Sequence, residues 1–133
     1  MNKPLPSEYK HFYQPYVDAI SENNGITALE NTGKNLLFTL RSIPENKGTF
    51  AYADGKWSIN DLLQHIIDSE IVFLYRALRI ARGDKTPLAG FEQDDYVAAA
   101  QADYKSLADL TKQFSQTRDL TISLFISFNP LLL

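Results

Sequence analysis

Apolar residues recur at intervals of three and four along three long segments of this chain, and this spacing is typical of one face of an α-helix. The segments cover about Ile26–Ser42, Ser58–Arg82 and Asp95–Phe128. We expect the last segment to be broken near Ala102 or Asp103. No strand pair or internal repeat accompanies them, so the pattern predicts an all-α helical bundle.

Two features refine this prediction. A shorter helical pattern over Ser7–Ile20 contains Pro15, which predicts one or two short turns or a kinked helix. Gly33 lies within the first long segment, where it costs a helix about 1 kcal/mol relative to alanine. We therefore predict that a neighbouring helix approaches closely at Gly33.

Composition excludes several classes of protein. The chain has 133 residues, which predicts a single domain over 1–133. The net charge of −3 argues against a nucleic-acid partner, and the lack of cysteine excludes disulfides, a thiolate zinc site and a cysteine nucleophile. Met1–Pro6 does not resemble a signal peptide, and Leu120–Leu133 is too short and polar to span a membrane. These features predict a cytoplasmic protein with no membrane partner.

The start of the second long helix carries strong local signals. Ser58 is a good N-cap residue, and Asp61 three positions later suits both a capping box and the positive helix end. Trp57 and Leu62 have the spacing of a hydrophobic staple. These signals predict that His65 occupies a well-defined position on the helix.

The same region resembles a known family. Gly55–Ile59 followed by Leu62–Glu70 is similar to the helix-2 signature of the DinB-like superfamily, bacterial four-helix bundles related to the YfiT-type metal-dependent hydrolases. The resemblance extends from about Pro6 to Phe128. Further matching segments are Tyr75–Arg79, Arg82–Phe91, Asp95–Val97, and Phe114 with Arg118–Thr121.

The resemblance implies an up-down-down-up bundle that holds a divalent metal, such as zinc or nickel, with three histidines. His65 occupies the position of the ligand from the second long helix. The other two ligands form an HxxxH pair on the last helix of the family, and this chain ends at Leu133 without that pair. We therefore expect a C-terminally incomplete domain in which the metal is absent or weakly bound.

Two interpretations of His65 remain open. For this chain alone, a partly buried, hydrogen-bonded residue lining the bundle is favoured over a metal ligand. If His65 binds a metal, Asp61 or Asp68 on the same helix face can orient its ring. His11, the other histidine, lies outside the motif and is interpreted as a surface residue.

The arginines at the end of the second long helix also allow two interpretations. Cations there suit the negative end of the helix dipole, which is favoured over a site for an anionic substrate. These residues are Arg76, Arg79 and Arg82.

Three amphipathic helices of a four-helix core leave an apolar groove open. The apolar tail Leu124–Leu133 can fold back into the groove, or a second copy can cover it as a homodimer. A shortened version of a longer natural chain is the third explanation, and we favour it in combination with dimer contacts.

The resemblance implies a metal-dependent hydrolase or a thiol-dependent transferase that acts on a small molecule. The alternative is a non-catalytic helical association module without bound metal. The sequence identifies neither the substrate nor a catalytic residue.

Overall fold

The computed structural model describes residues 2–128, and this part of the chain contains helices and no β-strand. The all-α prediction is confirmed. No helix between residues 2 and 128 has the length and hydropathy needed to span a membrane. The helices are α1 (Gln14–Asp18), α2 (Gly25–Ser42), α3 (Ile59–Ala81), α4 (Gln93–Ala100) and α5 (Leu107–Ser127), with 3-10 turns at His11–Tyr13, Glu45–Lys47 and Ala102–Tyr104.

Local signals set the helix ends. The side chain of Asn24 accepts hydrogen bonds from the N–H groups of Ile26 and Thr27 at 2.9 and 3.3 Å, which caps α2. Pro15 lies in the first turn of α1, where its missing N–H costs nothing. Gln101 has a left-handed φ of 46° and separates α4 from the 3-10 turn before α5. The predicted break is therefore present, one residue earlier than Ala102.

The core lies where α5 packs against both α2 and α3. Phe114 of α5 and Ile67 of α3 are both 0% exposed. Leu40 of α2 joins the same cluster, together with Leu63 and Leu110. Because α5 contributes to both interfaces, its side chains hold the three long helices together.

Hydrogen bonds between the helices give their relative directions. At the start of α3, the Ser58 hydroxyl donates to Asp103, which lies just before α5. Farther along both helices, Arg118 of α5 donates to Glu70 of α3. Since early residues meet early residues, α3 and α5 run in the same direction.

The α2 helix runs in the opposite direction to α5. Glu45, just after α2, accepts hydrogen bonds from the N–H groups of Leu107 and Ala108 at the start of α5. Near the other end, the Leu29 carbonyl accepts from Arg118. Residues 129–133 lie outside the described part of the chain, and the full up-down-down-up order stays a prediction.

Candidate functional site

The start of α3 is capped as the sequence predicts. The Ser58 hydroxyl accepts from the N–H of Asp61 at 3.0 Å, and the Asp61 carboxylate accepts from the N–H of Ser58 at 3.1 Å. The Ser58 hydroxyl also donates to the Asp103 carboxylate at 2.6 Å. The bond to Asp103 ties the capped first turn of α3 to the segment before α5, and His65 follows within the next two turns.

His65 is partly buried and lies between an aromatic ring and a hydroxyl. Its ring centroid is 5.0 Å from that of Trp57, with the two planes inclined at 48°. Its Nδ1 atom lies 3.5 Å from the Ser69 hydroxyl, at the outer limit of a hydrogen bond. Trp57 thus packs on the imidazole, whereas Leu62, its predicted staple partner, is 50% exposed.

The two carboxylates near His65 have other partners. Asp61 belongs to the capping box with Ser58, and Asp68 accepts from the Gln64 amide at 2.8 Å. The neighbours of the imidazole in this structure are therefore Ser69 and Trp57 rather than the predicted orienting residues Asp61 and Asp68.

The described residues do not by themselves fit a divalent metal. Between residues 2 and 128 there is no group of three histidine, cysteine, aspartate or glutamate side chains that could hold an ion. His11 is exposed in the 3-10 turn His11–Tyr13. Since a catalytic zinc site needs about three protein ligands, His65 can supply one of them, and no catalytic step follows from this arrangement.

One side of α3 combines His65 with exposed apolar residues. Leu62, Phe73 and Ile80 are 50%, 59% and 56% exposed, and they are separated by whole numbers of helical turns. His65 and Ser69 continue the same row because they follow Leu62 by steps of three and four residues. We call these five residues the outer face of α3.

The arginines near the end of α3 hold the loop that follows the helix. Arg76 donates to the Ala89 carbonyl at 2.7 Å, and Arg79 forms an ion pair with Asp84 at 2.6 Å. The Arg79 guanidinium holds the pKa of the Asp84 carboxyl well below its usual range. Arg82 lies over an aromatic ring at the end of α5. Two of the three cations thus bind groups of the loop.

A half-buried arginine that the sequence did not single out as a site joins the three long helices. Nε and Nη2 of Arg118 donate to the two oxygens of Glu70 at 2.8 and 2.9 Å. Its Nη1 donates to the Leu29 carbonyl and the Thr32 hydroxyl at 2.8 and 3.0 Å. A Cβ atom on Gly33 would lie 3.0 Å from Cγ of Arg118. The predicted close approach at Gly33 is therefore confirmed, and α5 supplies the approaching group.

Comparison with known proteins gives a family. A family model described as the DinB superfamily matches residues 28–131, which is more than three quarters of the chain. No curated protein and no solved structure matches. The matched range includes His65, the outer face of α3 and the Arg118–Glu70 pair.

Proposed function

The chain belongs to the DinB superfamily, and from this premise we propose that it is a metal-dependent hydrolase or thiol-dependent transferase to which His65 contributes one ligand. The observation that carries the proposal is the position of His65 on the outer face of α3. The capped helix start holds the imidazole in place, and its surroundings leave it partly accessible. The substrate we propose is a small molecule.

The hydrogen bonding of His65 supports this role. Its contact with Ser69 involves Nδ1, and Nε2 makes no hydrogen bond to any residue between 2 and 128. An imidazole nitrogen without a hydrogen-bond partner is available to bind a metal. Residues 2–128 offer no full ligand set, so the proposed site needs further ligands from outside this part of the chain.

Metal binding by the purified chain tests this proposal. We expect equilibrium dialysis against zinc or nickel, followed by elemental analysis, to show less bound metal for His65→Ala than for the unmodified chain. His11→Ala is the matched control, because it removes the other imidazole at an exposed position. Circular dichroism checks that all three proteins have the same helical content.

The His11→Ala control distinguishes metal binding by His65 from metal binding by any accessible histidine. If the unmodified chain, His65→Ala and His11→Ala hold equal amounts of metal, His65 is not a ligand. A loss confined to His11→Ala would also contradict the proposal.

A second candidate function is a non-catalytic association module that forms a homodimer. Exposed Leu62, Phe73 and Ile80 favour it, because apolar side chains aligned along one helix face often pack against another helix. Light scattering over a dilution series should show a dimer that Phe73→Ser weakens. Phe38→Ser on α2 is the control, since Phe38 is 79% exposed and lies off the outer face of α3. A strict monomer at all concentrations would contradict this function.

A further inference from the structure

A concave region separate from His65 lies between α2 and α5. Its cavity volume is about 480 Å³, which falls within the range of small-molecule sites, and α3 contributes no residue to its lining. The floor is apolar and includes Leu37, Leu40, Ile43 and Leu107. Leu40 and Leu107 are only 6% and 3% exposed, so the floor of the groove is part of the core.

The charged residues of this groove are mainly cationic. Arg41 of α2 and Lys112 of α5 are exposed at its rim, and neither forms an ion pair with another described residue. Glu45 is the acidic residue of the lining, and its two oxygens accept the N–H groups of Leu107 and Ala108 at 2.7 and 3.1 Å. The lining therefore has a net positive charge, and its cations are available to a ligand.

Thr111 and the charges of the adjoining cavity indicate which end of the groove suits a charged group of a ligand. The Thr111 hydroxyl in the lining already donates to the Leu107 carbonyl at 2.7 Å. The groove continues into a smaller cavity of about 310 Å³, whose lining adds two acidic residues, Glu30 and Asp119, and two cations, Lys34 and Arg118, so that its charges balance. An anionic group is therefore favoured at the end near Arg41 and Lys112, with an apolar group on the leucine floor.

From this arrangement we infer that the groove between α2 and α5 binds a small amphipathic carboxylate, of the chemical class of a medium-chain fatty acid. The carboxylate lies between Arg41 and Lys112, where charge-assisted hydrogen bonds are strong. The alkyl chain covers Leu37, Leu40 and Ile43 and removes apolar surface from water. This inference is independent of any metal at His65.

Calorimetric titration with octanoate tests the inference. We expect saturable binding of octanoate, weaker binding of octanol and no binding of octylamine, which carries the opposite charge. The double variant R41Q/K112Q should bind octanoate about fivefold more weakly, because it removes both cations that pair with the carboxylate at an exposed rim. Added salt should weaken octanoate binding in the unmodified chain.

The matched control is K56Q/K85Q, which also removes two positive charges from exposed positions but leaves the groove lining unchanged. It should bind octanoate as the unmodified chain does. The inference is overturned if octanoate does not saturate, if octanol binds as tightly as octanoate, or if the two double variants bind octanoate equally.

Discussion

Two sides of α3 hold their polar side chains in different ways. On the inner side, Glu70 is bound through both oxygens by Arg118 at 2.8 and 2.9 Å, and its side chain is 11% exposed. On the outer face, His65 has a 3.5 Å contact with Ser69 and a ring contact with Trp57. Glu70 is thus fixed by another long helix, whereas His65 is contacted by its own helix and by Trp57, which precedes the N-cap of that helix.

The two sides of α3 therefore differ in how many partners from other helices hold a polar side chain. Arg118 has hydrogen-bond partners on α2 and α3, and its guanidinium lies 5.1 Å from the centre of the Phe114 ring. A half-buried polar group that binds several partners resists substitution, since removing it leaves those partners with fewer hydrogen bonds. Among the described residues, the outer face of α3 has no comparable hydrogen-bond network. A ligand or partner that binds there therefore disrupts no such network.

The largest expected effect comes from Arg118→Ala on the inner side. It should lower the free energy of unfolding by about 3 kcal/mol, because it leaves the half-buried Glu70 carboxylate without the partner of both its oxygens. His65→Ala on the outer face should cost about 1 kcal/mol, the order of a lost aromatic contact with Trp57. Urea unfolding followed by circular dichroism measures both values.

A double variant distinguishes lost pairing from lost packing. Glu70→Gln combined with Arg118→Met removes both charges and keeps much of the side-chain volume, so it should be less destabilising than Arg118→Ala. If Arg118→Ala and His65→Ala lower the free energy of unfolding equally, the two sides of α3 do not differ in how strongly they hold their polar side chains.

A smaller effect is expected for Gly33→Ala, which places a methyl group 3.0 Å from Cγ of Arg118. Alanine favours the helix by about 1 kcal/mol, but Arg118 cannot move away without straining its bonds to Glu70 and Leu29. We expect a net loss of about 1 kcal/mol in the free energy of unfolding. Combined with Arg118→Ala, the same change should become stabilising by about 1 kcal/mol. Stabilisation by Gly33→Ala alone would show that the arginine is loosely held.

The sequence predicts those parts of the fold that depend on short-range signals. The capping box of Ser58 and Asp61, the end of α2 at Ser42 and the break before α5 all follow from residues within one helical turn. The close approach at Gly33 was also predictable, because glycine is costly inside a helix and needs a reason.

Contacts between residues far apart in the sequence were not predictable in the same way. Arg118 and Glu70 are 48 residues apart, and Glu45 caps α5 from a distance of 62 residues. Such pairs depend on how the helices pack, which periodicity does not specify. The position of His65 followed from its own helix, but its neighbours did not, because Asp61 has a competing partner in the helix cap.

The smallest expected effect concerns the exposed Arg79–Asp84 ion pair. It can be compared with the Arg118–Glu70 pair on the inner side of α3. The Asp84 side chain is 36% exposed, against 11% for Glu70. The hydrogen bond from Arg79 lowers the pKa of Asp84, so the folded state favours the carboxylate. The resulting stability is present above the ordinary aspartate pKa of about 3.9 and is lost as the pH falls toward the lowered value. Asp84→Asn should therefore lower the urea midpoint slightly at pH 7, and the difference should shrink below about pH 4. Parallel curves of urea midpoint against pH for the two proteins between pH 7 and 2.5 would mean that the pair adds no pH-dependent stability. High salt should reduce the difference in urea midpoint at pH 7, because the pair is open to solvent.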